Sequence, residues 1–348
     1  MIGIKLWKKE VNEMSIEKVA VILGGTSTER DISLRSGHAV YEGLLKKGYN
    51  AFKIDPKLDD VYSILTNEKP DMAFIALHGQ GGEDGTIQGF LDYLKIPYTG
   101  NSLLASALCM NKIFTQNILK ANNILVPEFF TVTKEEYNVL GATGIRKKIE
   151  ESFGFPAIVK APSQGSTLGI YFINNPNEDY TKQLTYGIEN AFKLEDILLI
   201  EAMIVPSTEI TISVLGNQRP VALPTLEITT ATGYFDYTTK YTHGMCEHII
   251  PARLPLSVRQ KAQAVAVETY TLLQCSGFAR VDFMVQGNDI YMIDINTIPG
   301  MTDMSLVPDA AKVIGIDFPE LIQLIIEMAD GKDFPLEKYE KALLEVEK

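Results

Sequence analysis

Four polar residues with a spacing of two lie along a pair of apolar strands late in the chain: Arg280, Asp282, Asp294 and Asn296. Side chains alternate across a strand, so the first two share one face of their strand and the last two share one face of theirs. A turn signal separates the strands. A three-residue loop, Gly287–Asp289, would place Asp282 opposite Asp294 and Arg280 opposite Asn296.

Such a hairpin brings two carboxylates, an amide and a guanidinium onto one face, with opposed residues about 5 Å apart. Unpaired buried charge is costly, so this cluster is not expected to serve stability. Oxygen ligands at this spacing suit hard cations such as Mg²⁺. The alternative is a solvated hairpin face with a salt bridge.

Three glycine-containing segments follow apolar strands and predict close approach of the backbone to a ligand. They are LGGTSTERDISL at 23–34, HGQGGEDG at 78–85 and IVKAPSQGSTLGI at 158–170. The first does not match the GxGxxG fingerprint, so we expect no Rossmann cofactor. A helix cap with solvated charges, a structural histidine and a flexible loop are the respective alternatives.

The third of these segments resembles loops that hold phosphate through backbone donors and a lysine. Lys160 ends its first strand, and Lys112, in the segment MNK, is a second candidate cation. A lone lysine on a helix is more often a solvated charge, and that interpretation stays open for Lys112.

Two further segments are compatible with nucleotide binding. The apolar run LLIEAMI at 198–204 leads into a linker, where backbone groups and Glu209 could contact an adenine and a ribose. A buried strand with a polar end is the alternative. The polar, tyrosine-rich stretch Gly233–His248 could form a lid, or a simple surface excursion.

Composition limits the class of partner. The chain has 348 residues, a net charge of −12 and a pI near 4.9, which argues against nucleic acid and anionic membranes as partners. Three cysteines without a CxxC motif, and no secretory pattern or long apolar run, predict a cytoplasmic protein.

The order of apolar runs predicts three units behind an N-terminal extension at 1–17. Residues 18–101 alternate strand and helix, which is typical of an open parallel α/β sheet with functional loops at the carboxyl ends of its strands. Residues 102–203 form a central α+β unit that starts with a predicted helix at 104–122. Residues 204–348 form a third unit, which contains the hairpin and the lid at 233–248.

Together and in this order, these segments and NTIPGMTDMSLVP at 296–308 resemble the D-alanine–D-alanine ligases of the ATP-grasp superfamily. The resemblance runs from about Lys18 to Asp330. It implies α/β and α+β units in a three-domain ATP-grasp fold with an N-terminal open parallel sheet, and ATP held between the central and C-terminal domains. It also implies a homodimer, and ligation of two D-alanines through an acyl phosphate for peptidoglycan precursors.

The resemblance also implies roles around ATP. Asp282, Asp294 and Asn296 would hold two Mg²⁺ (or Mn²⁺) ions that bridge the β- and γ-phosphates. The phosphates, adenine and ribose would be bound by Lys112, Lys160, Glu201, Ala202, Ile204, Glu209 and Lys240.

On the substrate side, the resemblance implies that Glu29 takes the ammonium of the first D-alanine, with His78 nearby. Arg280 and the N–H of Gly300 would stabilise the oxyanion. The carboxylate of the second D-alanine would bind Ser305 and the N–H of Leu306. Hydrogen bonds across the closed site would join Glu29, Ser166 and Tyr241.

The chain departs from the usual family pattern at three positions. Asp294 stands where Glu is usual, Gln80 where Arg is frequent, and Gln164 where Glu or Ser is frequent. The Lys240–Tyr241 pair favours an amine as the second nucleophile. A related ATP-grasp ligase with another amino acid or hydroxy acid, and a non-catalytic nucleotide-binding homologue, remain alternatives.

Overall fold

The computed structural model describes residues 16–165, 168–230, 246–302 and 305–348. The N-terminal unit is a parallel sheet in the order β2-β1-β3. Its strands are β1 (Lys18–Ile22), β2 (Asn50–Ile54) and β3 (Met72–Ile75), and its helices are α1 (Arg30–Lys46), α2 (Val61–Glu68) and α3 (Thr86–Leu94). All residues of β3 are buried, as expected for a parallel strand covered on both faces.

Two short helices connect this unit to the next: α4 (Leu103–Met110) and α5 (Lys112–Ala121). The prediction of one continuous helix at 104–122 was wrong. Asn111 is extended, and its side-chain oxygen accepts the backbone N–H groups of Ile113 and Phe114. Asparagine is a strong N-cap, so it starts a new helix and puts Lys112 in the first turn.

The central unit is a four-stranded antiparallel sheet in the order β4-β7-β5-β6. Its elements are β4 (Phe129–Thr133), α6 (Lys134–Ser152), β5 (Ala157–Lys160), β6 (Ile170–Ile173), α7 (Tyr180–Ala191) and β7 (Ile197–Ala202). The helices cover one face of the sheet and close an apolar core around Ile145, Leu184 and Ile200. Lys160 is the last residue of β5, directly before the glycine-containing segment.

The third sheet runs in the order β11-β10-β8-β12-β13, with β9 on the edge of β8. Its strands are β8 (Thr208–Leu215), β9 (Val221–Ala222), β10 (Leu226–Thr230), β11 (Cys246–Ile249), β12 (Phe278–Gln286) and β13 (Asp289–Asn296). Helix α8 (Leu256–Leu272) packs on β8 and β12 through Ala262, Ala266 and Tyr270.

The predicted register of the β12–β13 hairpin is confirmed, although its predicted loop is wrong. Gln286 pairs with Asp289, so the loop has two residues rather than three. A bulge next to Asp282 shifts the register by one, because an extra residue in one strand offsets the pairing. Beyond the bulge, Asp282 faces Asp294 and Arg280 faces Asn296.

Three helices end the chain: α9 (Leu306–Lys312), α10 (Phe318–Ala329) and α11 (Leu336–Val346). They share a core with the N-terminal sheet, in which Leu321 and Ile325 pack with Val21, Val40 and Phe74. Two residues that precede α9, Ile298 and Met301, also belong to apolar clusters that contain residues of the N-terminal sheet. In the described ranges, no helix is long and apolar enough to cross a membrane.

Candidate active site

The centre of the site is the paired face of β12 and β13. The Arg280 guanidinium donates from Nε to Oδ1 of Asp282 at 2.9 Å and from Nη2 to Oδ2 at 2.8 Å. The Thr211 hydroxyl donates to Oδ1 at 2.5 Å, and the Asn296 amide donates to Oδ2 at 3.0 Å. Arg280 and Asp282 are both buried, and this network supplies the partners that buried charges require.

Asp294 lies at the open side of this cluster and is more exposed than Asp282. Its Oδ1 is 3.4 Å from Nζ of Lys112, which also donates to the carbonyl of Gln164 at 3.4 Å. The backbone N–H of Lys112 donates to Pro162 O. Lys112 and Asp294 line a crevice between the hairpin and the 161–165 segment, and Gln164 and Gly165 form its opposite side.

The donors on this face fit a hard cation, with one condition. Both oxygens of Asp282 already accept two hydrogen bonds each, so a cation would have to replace one of those donors. Asn296 turns its NH₂ group toward Asp282, which directs its amide oxygen away from that carboxylate. Asp294, Asn296 and one released oxygen of Asp282 are the ligand types that Mg²⁺ and Mn²⁺ prefer.

A second buried pair lies on the neighbouring sheet. Lys160 at the end of β5 forms an ion pair with Glu201 near the end of β7, and the Gln116 amide donates to the other Glu201 oxygen at 2.8 Å. All three side chains are buried. The pairing of β5 with β7 and the packing of α5 bring together residues that are distant in sequence.

The linker after β7 carries the remaining predicted nucleotide contacts. The N–H of Ala202 donates to Glu128 O, and the carbonyl of Ile204 accepts the Ser207 hydroxyl at 2.6 Å. These two groups are therefore engaged within the protein, so an adenine would have to use other backbone groups of the linker. Glu209 lies half-buried on β8, in the pair with Met284.

Glu29 lies at the point where three loops meet. It precedes α1, and its side chain makes no capping hydrogen bond, which disfavours the helix-cap interpretation. A Cβ atom on Gly79 would lie 2.8 Å from its Oε2, and a Cβ on Gly165 would be closer still. Glycine at both positions therefore lets the carboxylate of Glu29 reach the interface between the N-terminal and central units.

His78 connects the N-terminal sheet to the loop that contains Gly300. Its Nδ1 lies 3.0 Å from the carbonyl of Ile298, so this nitrogen donates, and Nε2 lies 2.9 Å from the Ser36 hydroxyl. The same hydroxyl accepts the N–H of Met301 at 3.1 Å. Both ring nitrogens thus contact other groups of the protein, and His78 positions the 298–301 loop.

Gly300 and Ser305 approach each other at the start of α9. A Cβ on Gly300 would lie 2.8 Å from the Ser305 Oγ. That oxygen accepts the N–H of Thr302 at 2.9 Å, and Ser305 is the N-cap residue of α9, with Leu306 buried behind it. The expected helix start is therefore present at these residues.

Three predicted site residues lie outside the described residues: Ser166, Lys240 and Tyr241. Of the predicted lid at 233–248, only 246–248 is described, as part of β11.

Several residues of the site were not predicted from the sequence. Ser36 and Thr211 carry hydroxyls in otherwise regular elements, and Gln116 is a polar residue in an amphipathic helix. Glu83, which accepts the N–H of Gly79 at 3.1 Å, is one of the polar residues in the second glycine segment. That segment already signalled a ligand-facing loop, so Glu83 was the one residue of this group with a local signal.

Arg30 has a structural role. It forms two hydrogen bonds with Asp55, of 2.9 and 2.6 Å, and a third with the carbonyl of Gly25. The hydrogen bond from Arg30, joined by the N–H groups of Lys57 and Gly25, outweighs burial and lowers the pKa of Asp55 to about 2. This network fixes the glycine turn that precedes Glu29.

Family models match two parts of the chain: the D-ala D-ala ligase N-terminus at 57–101 and the D-ala D-ala ligase C-terminus at 118–327. The D-alanine–D-alanine ligase of Pelotomaculum thermopropionicum is 47% identical over 314 residues, which is 90% of this chain and 96% of that protein. The corresponding enzyme of Desulforamulus reducens is 46% identical, over 90% and 98% of the two chains.

Solved structures give the same result. The D-alanine–D-alanine ligase of Bacillus anthracis has a TM-score of 0.76 at 32% identity, over 93% of this chain and 99% of that chain. The VanG D-Ala:D-Ser ligase of Enterococcus faecalis has a TM-score of 0.74 at 29% identity, over 90% and 99%. The chain therefore has the three-domain ATP-grasp fold and belongs to the D-alanine–D-alanine ligase family.

Proposed function

We propose that this chain uses ATP to join two D-alanines into D-alanyl-D-alanine through an acyl phosphate. The observation that carries the proposal is the hairpin face, where Arg280 and Asp282 are locked together beside Asp294, Asn296 and Lys112. This arrangement places fixed positive charge and oxygen ligands on one crevice. Phosphoryl transfer needs such positioning and charge stabilisation more than it needs covalent catalysis.

The reaction has two steps. A carboxylate oxygen of the first D-alanine attacks the γ-phosphorus, the bond to the β,γ-bridging oxygen breaks, and ADP leaves. The amine of the second D-alanine then attacks the acyl carbonyl, loses a proton, and phosphate leaves as the C–O bond breaks. Two Mg²⁺ or Mn²⁺ ions, when bound, would neutralise the negative charge of the β- and γ-phosphates.

The nucleotide would lie between the central and C-terminal sheets. Lys112 and Lys160 would bind phosphate oxygens, Glu201 and the 202–204 linker would bind the adenine, and Glu209 would bind the ribose. Lys160 is already paired with Glu201, so the pair is held in place before ATP binds. Asp282, Asp294 and Asn296 would hold the cations.

The amino acids would bind on the other side of the hairpin. Glu29, brought in by Gly79 and Gly165, would take the ammonium of the first D-alanine. Arg280 and the N–H of Gly300 would stabilise the oxyanion in the second step, with Gly300 positioned by His78. Ser305 and the N–H of Leu306 would take the carboxylate of the second D-alanine.

A second candidate differs only in the nucleophile. The similarity to the VanG D-Ala:D-Ser ligase is close to that of the D-alanine enzyme, so a D-amino acid with a hydroxyl is the relevant competitor. We propose D-alanine because curated relatives at 47% and 46% identity bear that name. By the same resemblance, we propose that the protein acts as a cytoplasmic homodimer in peptidoglycan precursor synthesis.

The test is a substrate panel. Purified protein with ATP and Mg²⁺ is given D-alanine alone, or D-alanine with D-serine, D-lactate or L-alanine, and phosphate release and product mass are measured. The proposal expects D-alanyl-D-alanine from D-alanine alone. Release only with D-serine or D-lactate would favour the second candidate. ATP binding without release under any condition would identify a non-catalytic homologue.

A further inference from the structure

One side of the β10–β11 ladder packs against α9. Alternation places Leu226 and Ile228 on the same face of β10, and Cys246 and His248 on the same face of β11. Ile228 is paired with His248 across the ladder. Leu226 and Ile228 form a buried cluster with Leu306 of α9, and Cys246 packs at its edge.

His248 lies on the same face of the ladder as Cys246, and it has a specific partner on α9. Its Nδ1 lies 2.6 Å from Oδ2 of Asp309, with 19% of the histidine side chain and 31% of the aspartate side chain exposed. This distance is typical of a charge-assisted hydrogen bond. Burial opposes the charge on the ring, but hydrogen bonds to Asp309 and Cys246 outweigh it and raise the pKa of His248 to about 9.

Leu306 and Asp309 are three residues apart on α9, so both lie on the face that meets the ladder. Leu306 provides an apolar contact, which tolerates small shifts, and Asp309 provides a directional one. A partly buried ion pair can define one packing arrangement of the elements that it joins. The His248–Asp309 contact can therefore set the position of α9 along the ladder.

The position of α9 matters for the site because Ser305 is the N-cap residue of α9. The N–H of Asp309 donates to the carbonyl of Ser305 at 3.2 Å, so the two residues are one helical turn apart. Ser305 Oγ in turn lies against Gly300 and accepts the N–H of Thr302. A displacement of Asp309 would move Ser305 relative to Gly300 and Arg280.

We propose that His248 and Asp309 are positioning residues that fix the subsite of the second D-alanine through α9. This inference rests on the proposed function, because it takes Ser305 as the group that binds that substrate. Neither side chain touches the reacting atoms. The pair acts on the affinity and placement of the second amino acid, and leaves the nucleotide and the first amino acid bound as before.

The test compares His248→Gln, Asp309→Asn and the double variant with the wild type in steady-state assays fitted for both D-alanine constants. We expect the KM of the second D-alanine to rise about tenfold in each single variant. The KM values of ATP and of the first D-alanine should stay within about twofold. The double variant should resemble the single ones, because two residues that act through one contact are not additive.

Three further variants test whether the effect depends on the charged contact between His248 and Asp309. His38→Gln removes an exposed histidine of α1 and should leave every constant unchanged. His248→Lys and Asp309→Glu keep the opposite charges, so they should retain most of the affinity for the second D-alanine. These two variants still test the proposal if the neutral variants fold poorly.

Three outcomes would contradict the positioning role, and the KM values and turnover tell them apart. Unchanged second-site KM in His248→Gln and Asp309→Asn, with an active wild type, would overturn the positioning role alone. An equal rise in all three KM values, without rescue by the charged variants, would show a merely structural contact and would also overturn it. A wild type without D-alanine-dependent turnover would overturn the proposed function and this inference together.

Discussion

Arg280 holds both oxygens of Asp282, although the two residues are adjacent on one face of the same strand. A guanidinium that faced a substrate alone would be free to change rotamer. Here the carboxylate of the neighbouring position fixes its plane, and Thr211 and Asn296 fix the carboxylate. The network orients the Arg280 guanidinium before any substrate binds. Such preorganised charge is the condition for electrostatic stabilisation of a transition state.

Replacing Arg280 should separate turnover from nucleotide affinity. Arg280→Ala is expected to reduce kcat by about 10²–10³-fold, as for removal of one oxyanion donor. The Kd of ATP should change by less than about threefold. Arg280→Lys keeps the charge but loses the two-point contact with Asp282, so its kcat should lie between those of the wild type and Arg280→Ala. Steady-state kinetics and calorimetric ATP binding measure both quantities, and equal losses in kcat and affinity would rule out the oxyanion role.

Asp294 should tolerate a longer carboxylate but not a neutral amide. It lies at the open side of the crevice, 3.4 Å from Lys112, so Asp294→Glu has room to reach a cation and should keep kcat within about threefold. Asp294→Asn removes an anionic ligand and should require higher Mg²⁺ for half-maximal rate. Mn²⁺ binding in the presence of ATP, followed by electron paramagnetic resonance, gives a readout independent of activity. Equal Mn²⁺ affinity in the wild type and Asp294→Asn would argue that Asp294 is not a ligand.

Asp55 should contribute to stability rather than to catalysis directly. Its pKa of about 2 lies below the ordinary value of 3.8 because Arg30 and backbone N–H groups bind the anion. A lowered pKa means that the stabilisation is complete above pH 4 and is lost as the pH falls through 2. Asp55→Asn is therefore expected to lower the free energy of unfolding by about 2 kcal/mol at pH 7, and by less near pH 2.

Urea unfolding at the two pH values measures this difference. Asp196→Asn is the matched control, because Asp196 forms an exposed ion pair with Lys134 and such pairs contribute at most about 1 kcal/mol. A loss for Asp55→Asn that is the same at both pH values would contradict the linkage.

The ring of His248 should titrate near pH 9 in the folded protein. Because this pKa is above the ordinary value of 6.5, the ion pair with Asp309 stabilises the fold fully below pH 6.5 and is lost as the pH rises through 9. Asp309→Asn removes the hydrogen bond and the negative charge that keep the His248 ring protonated, so it should lower the pKa of His248. Nuclear magnetic resonance titration of the His248 ring protons in the wild type and in Asp309→Asn measures this pKa. A wild-type midpoint near 6.5 would show that the pair is not formed in solution.

The side-chain faces and strand pairs of the hairpin were predicted because they depend on the local sequence pattern. Alternation placed Arg280 and Asp282 on one face, and the strand pairs with Asn296 and Asp294 were correct even though the loop was misjudged. The error came from the bulge beside Asp282, because two-versus-one pairing leaves no compositional mark. The break before Lys112 was likewise missed, although Asn111 is a good N-cap, because apolar spacing continues across it.

What could not be predicted from the sequence depends on contacts between distant segments. The pairing of Lys160 with Glu201 follows from the order of strands in the central sheet, and the contact of His248 with Asp309 follows from where α9 packs. His78 was expected near a substrate. In the structure it contacts Ser36 and the 298–301 loop, because the C-terminal helices share a core with the N-terminal sheet.

An oxygen-transfer experiment determines whether the ligation proceeds through an acyl phosphate. The protein is incubated with ATP, Mg²⁺ and D-alanine labelled with ¹⁸O in both carboxylate oxygens, and the released phosphate is analysed by mass spectrometry. The proposed mechanism predicts one ¹⁸O atom in each phosphate, together with labelled D-alanyl-D-alanine. Dipeptide accompanied by unlabelled phosphate would contradict it, because the carboxylate would then not have attacked the γ-phosphorus.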